Sequence, residues 1–275
     1  MSYSLDKLEK DILKNFSKNK NLQPAFTRLD KCLDKNQPRS YIEAFNKIHD
    51  VIRKSQNDIE KILEEEAEVR KSQKNQSYNK DQARRSIVGH LFPSCIIYLF
   101  IQNKLIGNIK PNIFIVSRKK AKVIQNFAEA STIKIGEEDT QKPDFDLVIF
   151  RQKKNQEESQ SKINKKEAER MIILSVKTSM RERAGQTYKW KLLLEIASDE
   201  GSKIKNKYNI IYEPKQPPII CFATVNFYNE INNPQQRGML KFFDKCFLAK
   251  ELEVSSPFIS PLSEIVDFVD QEMGQ

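Results

Sequence analysis

With 275 residues the chain can bury a substantial core, as one large domain or two modest ones. A composition of 39% hydrophobic and 31% charged residues excludes an intrinsically disordered chain, and 47 Lys and Arg against 37 Asp and Glu leave a surplus of +10 that attracts a polyanion, nucleic acid first among them. Only His49 and His90 are available as histidines, and Cys32, Cys95, Cys221 and Cys246 are widely spaced without a CxxC pair. Zinc ligation and a histidine-based triad are therefore disfavoured, reduced buried thiols are expected, and carboxylates must carry any metal chemistry.

In chain order, MSYSLDKLEKDILKNF carries acidic residues and no continuous apolar core, so neither a signal nor a transit peptide is expected and a cytoplasmic location is. The longest apolar run, 95–101, falls far short of the roughly 20 residues of a membrane helix, so no membrane partner is expected. Residues 1–75 read as helical. Leu5, Leu8, Ile12, Leu13 and Phe16 fall on one helix face, a second helix fits 25–33, and a third starts after Pro38 and Ser40 and carries Ile42 through Leu63. The polar stretch RKSQKNQSYNKDQ suits a surface loop or an exposed helix end equally well, and is the best candidate for a boundary or hinge between a helical N-terminal domain, 1–75, and a second domain, 76–275.

The second domain opens with an apolar helix, 87–106, a strand, 112–117, and a helix over 119–130. Next come KPDFDLVIFR over 142–151 and RMIILSVKTS over 170–179, two buried strands joined by a polar tract that reads as a long hairpin loop. A helix over 180–197, a strand over 218–228, a helix over 238–248 and an amphipathic helix over 261–273, with Ser260 as cap and Pro261 in its first turn, complete the pattern. This order predicts an α/β core, a mixed sheet flanked by helices.

Residues two apart in a strand share a face, which places Asp144 and Asp146 together, Phe145, Leu147 and Ile149 on the other side, and Ser175 with Lys177. If the two strands pair, one or both aspartates meet Lys177 at the end of the sheet. Oxygen ligands of this kind suit Mg²⁺, and a neighbouring ammonium can hold or help deprotonate an attacking water and offset charge on a pentacovalent phosphorus.

Pro143-Asp144 and Ser175-Val176-Lys177 resemble the PD-(D/E)xK nuclease motif, with Ser175 where an acidic residue usually stands. The type II restriction endonucleases that recognise CCGG-containing sites are similar in that replacement. They draw a carboxylate from the following helix instead, and follow the lysine with Arg-(Asp/Glu)-Arg, which is matched here by Arg181-Glu182-Arg183. The segment 143–195 most closely resembles BsaWI-type enzymes. The resemblance implies a PD-(D/E)xK restriction-endonuclease-like core in 76–275 that hydrolyses a palindromic double-stranded DNA site containing CCGG, with Mg²⁺ as cofactor. Its catalytic residues would be Asp144, Asp146, Ser175, Lys177 and Glu195, with Asp144, Asp146 and Glu195 on the metal and Asp144 ranked ahead of Asp146. In the subgroup the helix glutamate falls earlier, where Trp190 stands here, and Glu182 is the other candidate for the missing carboxylate.

Arg donates bidentately to guanine and Glu accepts from cytosine amines, so Arg181, Glu182 and Arg183 would read the bases, with Gln186, Tyr188 and Lys189 near phosphates or flanking bases. A two-fold site cut on both strands implies a homo-oligomer, dimer or higher. A cognate DNA methyltransferase is expected in the same system, without direct contact. Two alternatives remain in view: a structure-specific repair or recombination nuclease with the same core, and a DNA-binding protein with a vestigial site. The Arg-Glu-Arg element favours the restriction enzyme, because a junction resolvase need not read bases. His49 and His90 read as ordinary helix residues, and Trp190, Phe222, Phe227 and Tyr228 as core. Arg118-Lys119-Lys120 is either a phosphate-contacting patch or a solvated helix start.

Overall fold

A computed structural model describes residues 3–72, 79–153, 165–179, 184–250 and 257–274. Five helices precede the first strand: α1 (Lys7–Lys18), α2 (Gln23–Asp30), α3 (Pro38–Glu43), α4 (Ile48–Ser72) and α5 (Lys80–Leu105). The Asp6 carboxylate opens α1 by accepting from the Leu8 N–H at 2.7 Å, while the Glu9 carboxylate accepts from the Asp6 N–H at 3.1 Å. The single helix expected beyond Ser40 is interrupted, because a 3₁₀ turn at Ala44–Lys47 separates α3 from α4. α5 starts earlier than its apolar pattern suggests, since Asn79 caps it by accepting from the Gln82 N–H at 3.0 Å. By length and apolarity α5 could cross a membrane, yet Leu91, Phe92, Cys95, Ile96, Leu99 and Phe100 are buried in the protein core.

The strands are β1 (Ile113–Ser117), β2 (Ile133–Ile135), β3 (Asp139–Gln141), β4 (Leu147–Gln152), β5 (Ala168–Lys177), β6 (Ile210–Ile211), β7 (Ile219–Thr224), β8 (Lys245–Leu248) and β9 (Ile259–Pro261). Six of them form a mixed sheet in the order β1-β4-β5-β7-β8-β9. β1, β4 and β5 run antiparallel, while β5, β7, β8 and β9 run parallel. β3, β2 and β6 make a small antiparallel sheet that sequence periodicity misses, because strands of two or three residues carry no readable alternation. The shorter helices are α6 (Phe127–Ala130), α7 (Ala184–Ser198), α8 (Lys203–Tyr208), α9 (Pro234–Met239) and α10 (Ile265–Met273).

Alternation along the strands gives the large sheet two apolar faces. Leu147, Ile149, Ile172, Leu174, Val176, Cys221 and Ala223 share a core with α1, α2, α4, α5 and α10. Val148, Phe150, Ile173, Ile220 and Phe222 pack instead with Trp190, Leu194 and Ala197 of α7. The result is three layers, helix on sheet on helix, with the N-terminal helices forming one of them. Within that layer Lys104 and Glu9, each 1% exposed, pair at 2.6 Å, and Lys104 also donates to the Ile113 carbonyl at 2.9 Å. Burial holds the Lys104 ammonium below the ordinary lysine range.

Three expected elements differ. The helix over 119–130 is a 3₁₀ turn, Arg118–Val123, followed by the single turn of α6. The helix over 238–248 ends early and gives way to β8, whose inner residues Cys246, Phe247 and Leu248 are buried on both faces and so show no alternation. Pro261 closes β9 instead of opening the last helix, and α10 starts after the turn Leu262–Glu264. A proline without an N–H is tolerated there because β9 is the edge of the sheet. All four cysteines are free thiols, with Cys32 partly exposed and the others buried.

Candidate active site

β4 begins where its antiparallel neighbour β5 is ending: Leu147 pairs with Leu174, three residues before Lys177 closes β5. Asp144 and Asp146 therefore arrive beside Lys177 at one end of the sheet. They arrive on an irregular segment, not on the strand that sequence alternation predicts, since β4 starts only at Leu147. Asp146 still touches the ladder, donating its N–H to the Leu174 carbonyl at 3.1 Å and accepting the Arg118 N–H at 2.8 Å. Phe145 does not lie with Leu147 and Ile149 as expected. It packs in the opposite core with Val148 and Phe150, its ring 5.1 Å from that of Phe127. Pro143 has no N–H with which to extend the strand, which leaves the segment free to turn.

Lys177 Nζ lies 3.1 Å from Asp144 Oδ2 and 2.9 Å from Asp146 Oδ2. The lysine side chain is 7% exposed, and the carboxylates are 28% and 29% exposed. The ammonium is thus sealed beneath two acids that open to solvent. Burying an ammonium is costly unless it is paired, so the arrangement is self-consistent electrostatically. Asp146 Oδ2 also accepts the Val176 N–H at 2.7 Å, while Arg118 Nη1 lies 3.1 Å from Asp144 Oδ1. Arg118 therefore belongs at this site, while its neighbour Lys119 is simply exposed.

Ser175, at the usual acidic position, is fully buried. Its hydroxyl lies 3.2 Å from that of Thr187, which in turn lies 3.0 Å from the Asp144 carbonyl oxygen. A carbonyl can only accept and a threonine has one hydroxyl proton, so Thr187 donates to Asp144 and accepts from Ser175. Helix α7 covers this position, and Ser175 reaches no solvent-borne ligand. Thr187 is the residue that sequence reasoning missed. Its signal was a hydroxyl three residues before Trp190 on the inward face of α7, which Leu194 continues.

The structure does not bring Glu195 to the pair. Glu195 stands about 12 Å along α7 from Thr187 at the usual helical rise. It is exposed and lies 3.3 Å from Lys191 Nζ, which sits 2.8 Å from Asp244 Oδ1. Asp244 Oδ2 accepts the Ile220 N–H at 2.7 Å. Ile220 pairs with Ile173 whereas Thr224 pairs with Lys177, so this network holds the opposite end of the strands. Among the described residues no group of three or more His, Cys, Asp or Glu is placed to hold a metal.

The family model for BsaWI restriction endonuclease type 2 matches residues 118–268, more than half of the chain. The chain belongs to that family. It is accordingly a type II site-specific deoxyribonuclease, a hydrolase that acts on double-stranded DNA. No curated protein matches the chain. The span matched to the BsaWI family begins at Arg118, contains both aspartates, Lys177 and the whole of α7, and leaves helices α1 to α5 outside it.

Of the expected base-reading residues of this BsaWI-family chain, Arg181, Glu182 and Arg183 lie outside the described residues, directly before Ala184 opens α7. Gln186 and Lys189 are exposed on the first turns of α7, and Tyr188 between them stacks on Phe242 with ring centroids 5.5 Å apart. Trp190 and Phe222 are core residues as expected, but Tyr228 is 66% exposed and is not. His49 sits at the start of α4, its N–H donating to the Ala249 carbonyl at 3.2 Å, and His90 is exposed on α5.

Proposed function

We propose that this restriction endonuclease hydrolyses DNA at the end of the sheet where Asp144, Asp146 and Lys177 meet, on a PD-(D/E)xK-type core, with Mg²⁺ as cofactor. The observation that carries the reading is the position of Lys177 Nζ, 3.1 Å from one carboxylate and 2.9 Å from the other. The donor set fits the metal: hard carboxylate oxygens, partly open to solvent, and two of them. Mg²⁺ is commonly held by one or two carboxylates and completes its shell with water and substrate phosphate. Asp144 and Asp146 would hold it, and Glu195, paired with Lys191 away from the site, is not needed. Glu182 is the remaining candidate for a further carboxylate.

The metal supplies Lewis-acid polarisation of the phosphoryl oxygen and a more acidic water. The protein's part is positional and electrostatic. Asp144 and Asp146 would hold the metal, and Lys177 would orient the attacking water and offset negative charge on the phosphorus. Arg118, exposed beside Asp144 Oδ1, balances the paired carboxylates before substrate arrives and is within a side chain's reach of an incoming phosphate.

The site read is proposed to be a palindrome containing CCGG, with Arg181 and Arg183 on guanine edges, Glu182 on cytosine amines, and Gln186 and Lys189 on the backbone or flanking bases. The enzyme would act as a homo-oligomer, dimer or higher, each protomer supplying one active site and one half-site reader. A methyltransferase of the same specificity would protect host DNA. The assembly of the two aspartates and Lys177 despite Ser175 at the usual acidic position supports an active site over a vestigial one. Digesting DNA of known sequence with and without Mg²⁺ and sequencing the ends tests the reading. Ends that map to a CCGG-containing palindrome only when Mg²⁺ is present support it, and random ends or metal-independent cutting refute it.

A further inference from the structure

We infer that Thr187 is a positioning residue that holds the main chain of Asp144 in place, an inference that rests on the reading of Asp144 as a metal ligand. Thr187 is fully buried on the first turn of α7, and α7 begins directly after Arg181-Glu182-Arg183. Its hydroxyl donates to the Asp144 carbonyl at 3.0 Å. Among the described residues this is the one hydrogen bond that holds the Asp144 main chain, because the segment before β4 has left the ladder that secures Asp146. The Ser175 hydroxyl, donating to Thr187 from β5, fixes the orientation of that single proton toward Asp144.

Further along, α7 is pinned by Lys191 to Asp244 at the opposite end of the strands. Together with Thr187 near its N-terminal end, this ties α7 to both ends of the sheet. Thr187 touches neither substrate nor metal, and its effect passes entirely through Asp144.

The test compares Thr187→Val, which removes the hydroxyl and keeps the shape, with Thr187→Ser, which keeps the hydroxyl. Three quantities are read: affinity for site DNA in Ca²⁺, binding of Mn²⁺ to the protein–DNA complex by electron paramagnetic resonance, and kcat and KM in Mg²⁺. Thr187→Val should bind DNA as the wild type does, with Mn²⁺ affinity and kcat each reduced by about 10- to 100-fold, the usual effect of removing a group that orients a metal ligand. Thr187→Ser should recover both. Wild-type Mn²⁺ affinity and kcat in Thr187→Val would overturn the inference, as would a Thr187→Ser protein of native melting temperature that fails as Thr187→Val does. Should Thr187→Val not fold, Thr187→Cys keeps a side chain of similar size with a weaker donor, and should show an intermediate loss in the same readouts. Lys177→Ala run in parallel separates the two levels. An inactive Lys177→Ala with an unaffected Thr187→Val removes only the positioning role of Thr187, whereas an active Lys177→Ala removes the site reading beneath it.

Discussion

Asp146 Oδ2 lies 2.9 Å from Lys177 Nζ and 2.7 Å from the Val176 N–H, so one carboxylate oxygen is shared between the side chain and the main chain at the end of β5. Asp144 meets the same ammonium but takes its second partner, Arg118, from an exposed position. The two acids thus have unequal structural duties. Asp146→Ala should cost about 1–3 kcal/mol of stability, the range for hydrogen bonds to charged groups, in addition to abolishing cleavage. Asp144→Ala should abolish cleavage at a smaller stability cost. Urea unfolding of the two variants checks the order, and equal or reversed losses would contradict it.

Glu9 and Lys104 form a buried pair linking α1 to α5. Glu9→Ala strands the ammonium and should destabilise by about 3–5 kcal/mol, whereas Glu9→Leu with Lys104→Met should restore most of the loss. Burial holds Lys104 below the usual lysine range, so the unfolded chain binds that proton more readily than the folded one. Stability from this group therefore rises as pH climbs from the depressed folded pKa toward the ordinary lysine value, and Lys104→Met should flatten that part of the profile. Chemical denaturation across alkaline pH measures both effects.

Glu195→Ala decides how many carboxylates the site uses. Because Glu195 is exposed and paired with Lys191 at the far end of the strands, the variant should keep cleavage and lose no more than about 0.5 kcal/mol of stability. Asp244→Ala, by contrast, strands both Lys191 and the Ile220 N–H and should cost roughly 1–3 kcal/mol. Loss of cleavage in a well-folded Glu195→Ala would bring that residue back into the active site.

Arg181→Ala should lose discrimination against a changed guanine by about 1–3 kcal/mol while still cutting the cognate sequence weakly. Competitive cleavage of site DNA and its single-base variants reads this directly. Unchanged discrimination would remove the base-reading assignment.

The meeting of Asp144, Asp146 and Lys177 was more legible in the sequence than the elements that carry them. Asp144, Asp146 and Lys177 could be paired on paper because antiparallel neighbours bring the start of one strand to the end of the next, which holds even though the aspartates precede β4. The face of Phe145 could not, since strand alternation does not hold before β4 begins at Leu147. β8 reads as helix in the sequence because a strand buried on both sides is uniformly apolar and shows no alternation. Spacing along a helix says nothing of which end of the sheet Glu195 reaches, a matter fixed here by Lys191 and Asp244. The bond from Thr187 to Asp144 crosses 43 residues and depends on how α7 lies on the sheet, which no local pattern reports.

Cleavage and binding by Lys177→Ala test the central claim most directly. With Mg²⁺ the variant should leave site DNA uncut, and in Ca²⁺ it should bind that DNA as the wild type does, because Lys177 serves the reaction and not the reading of bases. Cleavage at wild-type rate would contradict the account.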